Sequence, residues 1–132
     1  MKTIIVADDS MIVKNIVEQA LMDEYDVVKT SSGAETLDFI INNKDKDIKG
    51  LLLDLNMPGT DGFMVLNYFK NANLFQKIKV SIISGDDTKE TIDKAFTYDI
   101  VDMLNKPFNK ANIKNIVNKM IWVCKEFYIN GI

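Results

Sequence analysis

Histidine and arginine are both missing from the 132 residues, and cysteine occurs once, at Cys124. Without histidine, Ser-His-Asp and Cys-His catalytic arrangements are excluded, as are histidine metal ligands and any phosphohistidine carried on this chain. A single cysteine forms no internal disulfide and no zinc site. All 16 basic residues are lysine, set against 19 acids, and the net charge of −3 comes with no basic tract. Nucleic-acid binding through a basic face is therefore not expected. Long apolar runs are lacking too. Met1-Lys2 leads into a run, Thr3 to Ala7, too short for a signal peptide or for insertion in a membrane, so a reducing cytoplasm is the expected place. No repeat, Pro/Ser linker or low-complexity tract divides the chain.

What is present suits one domain spanning residues 1–132. Hydrophobic residues make up 47% and charged residues 27%, a globular balance. Periodicity predicts strands over Lys2–Ala7, Asp26–Thr30, Gly50–Leu55, Lys79–Ser84 and Ile100–Leu104. Helices are predicted over Ser10–Met22, Gly33–Asn42, Gly62–Phe69, Thr88–Tyr98 and Lys110–Tyr128. The first helix would bury Val13, Ile16, Val17, Ala20 and Leu21, and the second Leu37, Ile40 and Ile41. Strict alternation of strand and helix implies an α/β fold, a parallel sheet covered on both faces. Strands without polar alternation, such as Leu51-Leu52-Leu53, fit that burial.

In open sheets of this kind, ligands bind beyond the carboxyl ends of the strands. Strand one ends in Asp8-Asp9, strand three in Asp54, strand four in Ser84-Gly85 and strand five in Lys106-Pro107. Taken singly, each has an ordinary explanation: a helix cap, a turn residue, a solvated loop charge. Together they bring carboxylates, a hydroxyl and an ammonium to one edge. Three close carboxylates repel unless a cation joins them. Acids, carbonyls and waters suit Mg²⁺, and without histidine a softer metal has no partner. A metal beside an aspartate, faced by a lysine and a hydroxyl, is a phosphoryl site with the carboxylate as nucleophile.

At these residues the chain resembles the receiver domain of two-component response regulators, particularly the single-domain chemotaxis (CheY)-like receivers. The resemblance rests on Val6-Ala7-Asp8-Asp9-Ser10, Asp54-Leu55-Asn56-Met57-Pro58-Gly59-Thr60-Asp61-Gly62, Ile82-Ile83-Ser84-Gly85 and Asn105-Lys106-Pro107-Phe108. It implies a doubly wound, flavodoxin-like sandwich with five parallel strands in the order 2-1-3-4-5. Asp54 would accept a phosphoryl group from a histidine kinase. Asp9 would ligate Mg²⁺ directly, with Asp54 and the backbone carbonyl of Asn56, while Asp8 would act mainly through water. Ser84 would bond the phosphoryl group, Lys106 would pair with the phosphorylated carboxylate, and Lys106-Pro107 would be cis. The protein would catalyse only its own phosphorylation and the hydrolysis of the acyl phosphate. Output would run through protein–protein contact, in chemotaxis or another phosphorelay.

The chain departs from the family pattern at several points. Met103 stands where relatives often carry an aromatic that rotates with the hydroxyl residue, so an aromatic switch at this position is excluded. Asp86-Asp87 add two acids near the site, able to slow an anionic donor or to place a hydrolytic water. Lys14 stands where many relatives have arginine, and is expected at the surface.

Other readings fare less well. A haloacid-dehalogenase-type phosphatase wants an aspartate two residues after the nucleophile, where Asn56 stands. A flavodoxin-like cofactor module wants a phosphate-cradling loop after strand one, where Asp8-Asp9 would repel the phosphate. A degenerate, unphosphorylated receiver acting as a binding module is opposed by the complete acidic, hydroxyl and lysine set.

On the final helix, Ile113, Val117, Met120, Cys124 and Tyr128 form one stripe, read as core. Trp122 points to the opposite side, among Asn115, Asn118, Lys125 and Glu126, with Ile129 near the same face. Tryptophan is enriched at interface hot spots, so Trp122 is a candidate contact for a target on the surface made by the fourth helix, fifth strand and fifth helix.

Overall fold

The structure, a computed structural model, describes residues 1–57, 59 and 61–129, with the side chains of 124–129 outside the description. Five strands alternate with five helices: β1 Thr3–Ala7, α1 Met11–Leu21, β2 Asp26–Thr30, α2 Gly33–Asn42, β3 Ile48–Asp54, α3 Gly62–Asn71, β4 Lys79–Ser84, α4 Lys89–Ala95, β5 Asp102–Asn105 and α5 Lys110–Ile129. All strand pairs are parallel, in the order β2-β1-β3-β4-β5. The expected doubly wound, flavodoxin-like topology is therefore the one the chain adopts.

Alternation of side chains across the pleat splits the apolar residues between two cores. Ile5, Leu51, Leu53, Val80 and Ile82 face α2 and α3, packing with Ile40, Val65, Leu66 and Phe69. Ile4, Val6, Leu52 and Ile83 face α1 and α5, packing with Val17, Leu21, Ile113, Val117 and Met120. The inner strands β1 and β3 are almost wholly buried, which is why their sequences run apolar without a break. The α5 stripe holds for Ile113, Val117 and Met120, while the placements of Cys124 and Tyr128 lie outside the described residues.

Polar residues set the helix starts. Ser10, Ser32, Asp61 and Thr88 each accept a hydrogen bond from the backbone N–H three residues on, at 3.3, 3.1, 3.0 and 3.3 Å. The two edge strands carry ion pairs: Lys29 of β2 with Glu18 at 2.9 Å, and Asp102 of β5 with Lys119 at 3.0 Å.

Several sequence expectations are corrected here. β3 begins two residues earlier than expected, at Ile48. α4 ends at Ala95 rather than Tyr98, and β5 starts at Asp102 rather than Ile100. Ile41 is exposed, because α2 turns Thr36 inward instead, where its hydroxyl meets that of Thr30 at 2.6 Å. Lys14 is buried, not at the surface. Its stem lies within the fold and its ammonium donates to Ser31 Oγ at 2.6 Å, tying α1 to the start of α2. Among the described residues, no helix is long and apolar enough to cross a membrane.

Candidate functional site

Strand register assembles the site. Ala7 lies opposite Leu53, so the next residues along, Asp8 and Asp54, emerge side by side. Asp54 lies opposite Ile83, which puts Ser84 one step beyond it on β4. Ser84 lies opposite Asn105, which delivers Lys106 as the chain leaves β5, and Lys106 N–H donates to Ser84 O at 2.8 Å. Four separate strand ends thus meet at one edge, as the sequence led one to expect. The Lys106-Pro107 bond is cis.

Oxygens of Asp8, Asp9 and Asp54 lie within 4.8 Å of one another. Asp8 and Asp54 are buried and Asp9 is exposed, so the cluster has two fixed walls and one open side. Local bonds fix the buried pair. Asp8 Oδ1 accepts from Ser10 N–H at 2.8 Å, and Asp54 Oδ1 accepts from Asn56 N–H at 3.1 Å. Lys106 Nζ sits between the remaining oxygens, 2.7 Å from Asp8 Oδ2 and 3.4 Å from Asp54 Oδ2. Asp8 Oδ2 meets that ammonium as an ion pair but lacks a well-directed hydrogen bond.

Burial lifts the Asp54 carboxyl above the ordinary carboxylate range. The Asn56 N–H opposes that rise, the Asp8 charge adds to it, Lys106 opposes it, and burial prevails. For Lys106, burial alone would lower the ammonium's pKa. The bond to Asp8 and the charges of Asp54 and Asp8 outweigh it and hold the group above the ordinary lysine value.

The donor set passes the test for a hard divalent cation. Its side-chain donors are carboxylate oxygens alone, with an open side for waters and a buried oxygen whose hydrogen bonding is incomplete. One lysine faces three acids, leaving the cluster net negative.

Ser84 is buried, and its hydroxyl is engaged locally. It accepts from Asp86 N–H at 3.0 Å and donates to Asp86 O at 3.3 Å. Met103 is half-buried against the α2/α3-side core, with no ring at that position. Gly62 opens α3 directly against the end of β3. A Cβ there would lie 2.6 Å from Asp54 O and 2.7 Å from Leu55 Cα. Trp122 is 60% exposed, on the side its spacing indicated.

Sequence reasoning placed Asp86 beside the site but missed its bonds. Its carboxylate turns away, accepting from Thr88 N–H at 2.9 Å and from Thr91 Oγ1–H at 2.8 Å. The Asp-x-Thr spacing of an Asx turn was the signal available. Nothing in the sequence marked the Lys14–Ser31 bond.

The sequence pattern of the response regulator receiver domain matches residues 4–118. The transcriptional regulatory protein GlnL of Bacillus subtilis (strain 168) is 29% identical over 118 residues, covering 87% of this chain and 36% of GlnL. The two-component response regulator ARR5 of Arabidopsis thaliana is 24% identical over 128 residues, 89% of this chain and 70% of ARR5. The chain therefore spans little more than a third of GlnL. The Vibrio cholerae chemotaxis protein CheY4 superposes with a TM-score of 0.79 at 20% identity, over 91% of this chain and 98% of that one, a likeness of fold. Strand ends that meet as the register requires, and a family pattern running from β1 into α5, make this chain a member of the response regulator receiver domain family.

Proposed function

We propose that the protein is a phospho-accepting signalling domain. Asp54 takes a phosphoryl group from a histidine kinase, and the phosphorylated form changes its binding to a protein target. The observation that carries this is the convergence of Asp8, Asp9 and Asp54 within 4.8 Å, with Lys106 at 2.7 and 3.4 Å from two of them. No histidine occurs among the 132 residues, so the donor histidine lies outside them.

The Asp54 carboxylate attacks phosphorus. An O–P bond forms, the N–P bond of the phosphohistidine breaks, and the imidazole leaves with its electron pair. Asp54 must be ionised to attack, and the Lys106 ammonium favours that form. Asp8, Asp9, Asp54 and the Asn56 carbonyl would hold Mg²⁺, which supplies charge neutralisation for the phosphoryl oxygens. Lys106 then balances the charge gained at Asp54, and Ser84 offers its hydroxyl as a donor to it. Water hydrolyses the acyl phosphate and restores the resting state. The chain does no turnover beyond its own modification.

The target would meet the face built by α4, β5 and α5, to which Trp122 contributes its exposed ring. Chemotaxis-type signalling and a phosphorelay are both compatible with that output. GlnL is a transcriptional regulator by name, and its chain is longer than this one.

The test is amide NMR with Mg²⁺ and beryllofluoride on wild type and Asp54→Asn. Magnesium-dependent shifts around Ser84 and Lys106 that vanish in Asp54→Asn are expected. Equal shifts in both proteins would overturn the assignment of Asp54.

A further inference from the structure

A cavity of about 300 Å³ opens between the ends of α2 and α3. It forms where α2 stops at Asn42 and α3 at Asn71, so that no further turn covers the starts of β3 and β4. Ile48, which lines it, is the first residue of β3, and Asp54 is the last. The cavity and the acidic cluster therefore lie about 20 Å apart along the strand. Its inner lining is apolar and fixed: Ile40, Ile48 and Ile78 are all buried. Its outer lining is polar at the tips, with the exposed side chains of Lys44, Tyr68 and Lys77.

The charge at this end opposes that of the chain. Residues 42–49 and 70–79, which carry both helix ends into the next strands, hold six lysines against two aspartates, although the whole chain is at −3. One of those aspartates, Asp47, is already paired with Lys49 at 3.1 Å. Among the described residues, neither the Lys44 nor the Lys77 ammonium has an ion-pair partner, and the Tyr68 hydroxyl has no hydrogen-bond partner. The volume is that of a small-molecule site, which ordinarily measures about 300–1,000 Å³. A docked helix needs anchors from i to i+7, about 10 Å along its axis, whereas the lining of α3 runs only from Tyr68 to Ala72, about 6 Å.

We propose that this cavity binds a small amphipathic anion, a free carboxylic acid with an apolar body. The body lies on Ile40, Ile48 and Ile78, and the carboxylate meets the ammonium groups of Lys44 and Lys77. The site is separate from the acidic cluster and does not depend on the acceptor reading above.

Octanoate serves as the probe, followed by the amide NMR signals of Lys44, Ile48 and Ile78 at neutral pH. Saturable shifts at these amides are expected, with the Asn56 amide unmoved. Hexanoate should bind about fifteenfold more weakly, for two methylenes lost. Octylammonium has the same body with the opposite charge, and should bind about tenfold more weakly than octanoate. Lys44→Gln and Lys77→Gln should each weaken octanoate by about two- to fivefold, and the double variant should bring octanoate and octylammonium close together. Lys70→Gln, an exposed lysine of α3 outside the lining, should change neither. Shifts that never saturate, equal binding of octanoate and octylammonium by wild type, or octanoate affinity unchanged in the Lys44→Gln, Lys77→Gln double variant would each overturn the proposal. Shifts of the same amides with protein concentration alone would overturn it too, and would give the cavity to a second copy of the chain.

Discussion

The ammonium of Lys106 lies 2.7 Å from Oδ2 of Asp8, a carboxylate that exposes none of its surface to water. Lys106 thus pairs with a buried acid at rest, and under the proposed function the same position would let it balance charge gained at Asp54.

Lys106→Ala is expected to cost about 2 kcal/mol at neutral pH without Mg²⁺, as urea melts would show. Breaking a buried pair ordinarily costs about 3–5 kcal/mol, and the partial exposure of Lys106 reduces that. Because the pair raises the folded-state pKa of Lys106, its contribution is complete below the ordinary lysine value of 10.5 and is lost as pH rises through the elevated one. The same variant should still accept a phosphoryl group on Asp54 but fail to change target binding. Normal target binding by phosphorylated Lys106→Ala would contradict that role.

Asp54→Asn should abolish acceptance from a small phosphodonor and, without Mg²⁺, raise stability by about 0.5–2 kcal/mol, since it removes a buried charge beside Asp8. The sign follows from the raised pKa. The folded state holds the Asp54 proton more tightly than the unfolded chain, so this group's contribution falls as pH rises from 3.8 through the elevated value. That segment of the stability–pH curve should flatten in Asp54→Asn. Acceptance by wild type should fade as pH falls through the same elevated value, because only the carboxylate attacks.

Gly62→Ala should destabilise by about 1–3 kcal/mol in denaturant melts, since the new methyl meets backbone atoms of Asp54 and Leu55 that cannot swing aside. Moving α3 outward to make room would displace the acceptor strand's end, so phosphorylation should slow as well. Wild-type stability in this variant would show that the β3–α3 junction yields.

Trp122→Ala should leave stability within about 0.5 kcal/mol, as expected for an exposed side chain. If Trp122 anchors the target, affinity for it should drop by about 2 kcal/mol. Calorimetric titration against the target, with a parallel melt, separates the two effects.

The sequence made the fold legible because unbroken apolar strands alternate with amphipathic helices. The site was legible because its residues sit at strand ends, where parallel register alone brings them together. What stayed hidden depends on how side chains are aimed. Lys14 reads as a surface charge, yet its stem passes inward until the ammonium meets Ser31. Ile41 fits the α2 stripe by spacing but is turned out, because a Thr30–Thr36 hydroxyl pair occupies the inner face. The end of α4 was overestimated because Phe96 and Tyr98 continue an apolar spacing that the helix does not bury as a stripe. The preference of Lys106 for Asp8 over Asp54 is a matter of tenths of an ångström, which composition and spacing do not encode.

Both open borders of the sheet are short and carry charge: Lys29 with Glu18 along β2, Asp102 with Lys119 along β5. A foreign extended segment seeking to lengthen the sheet would have to disturb one of these pairs for only four or five residues of new ladder. The fold can therefore leave the edge where Asp8, Asp9 and Asp54 meet open without offering its flanks as a template for aggregation.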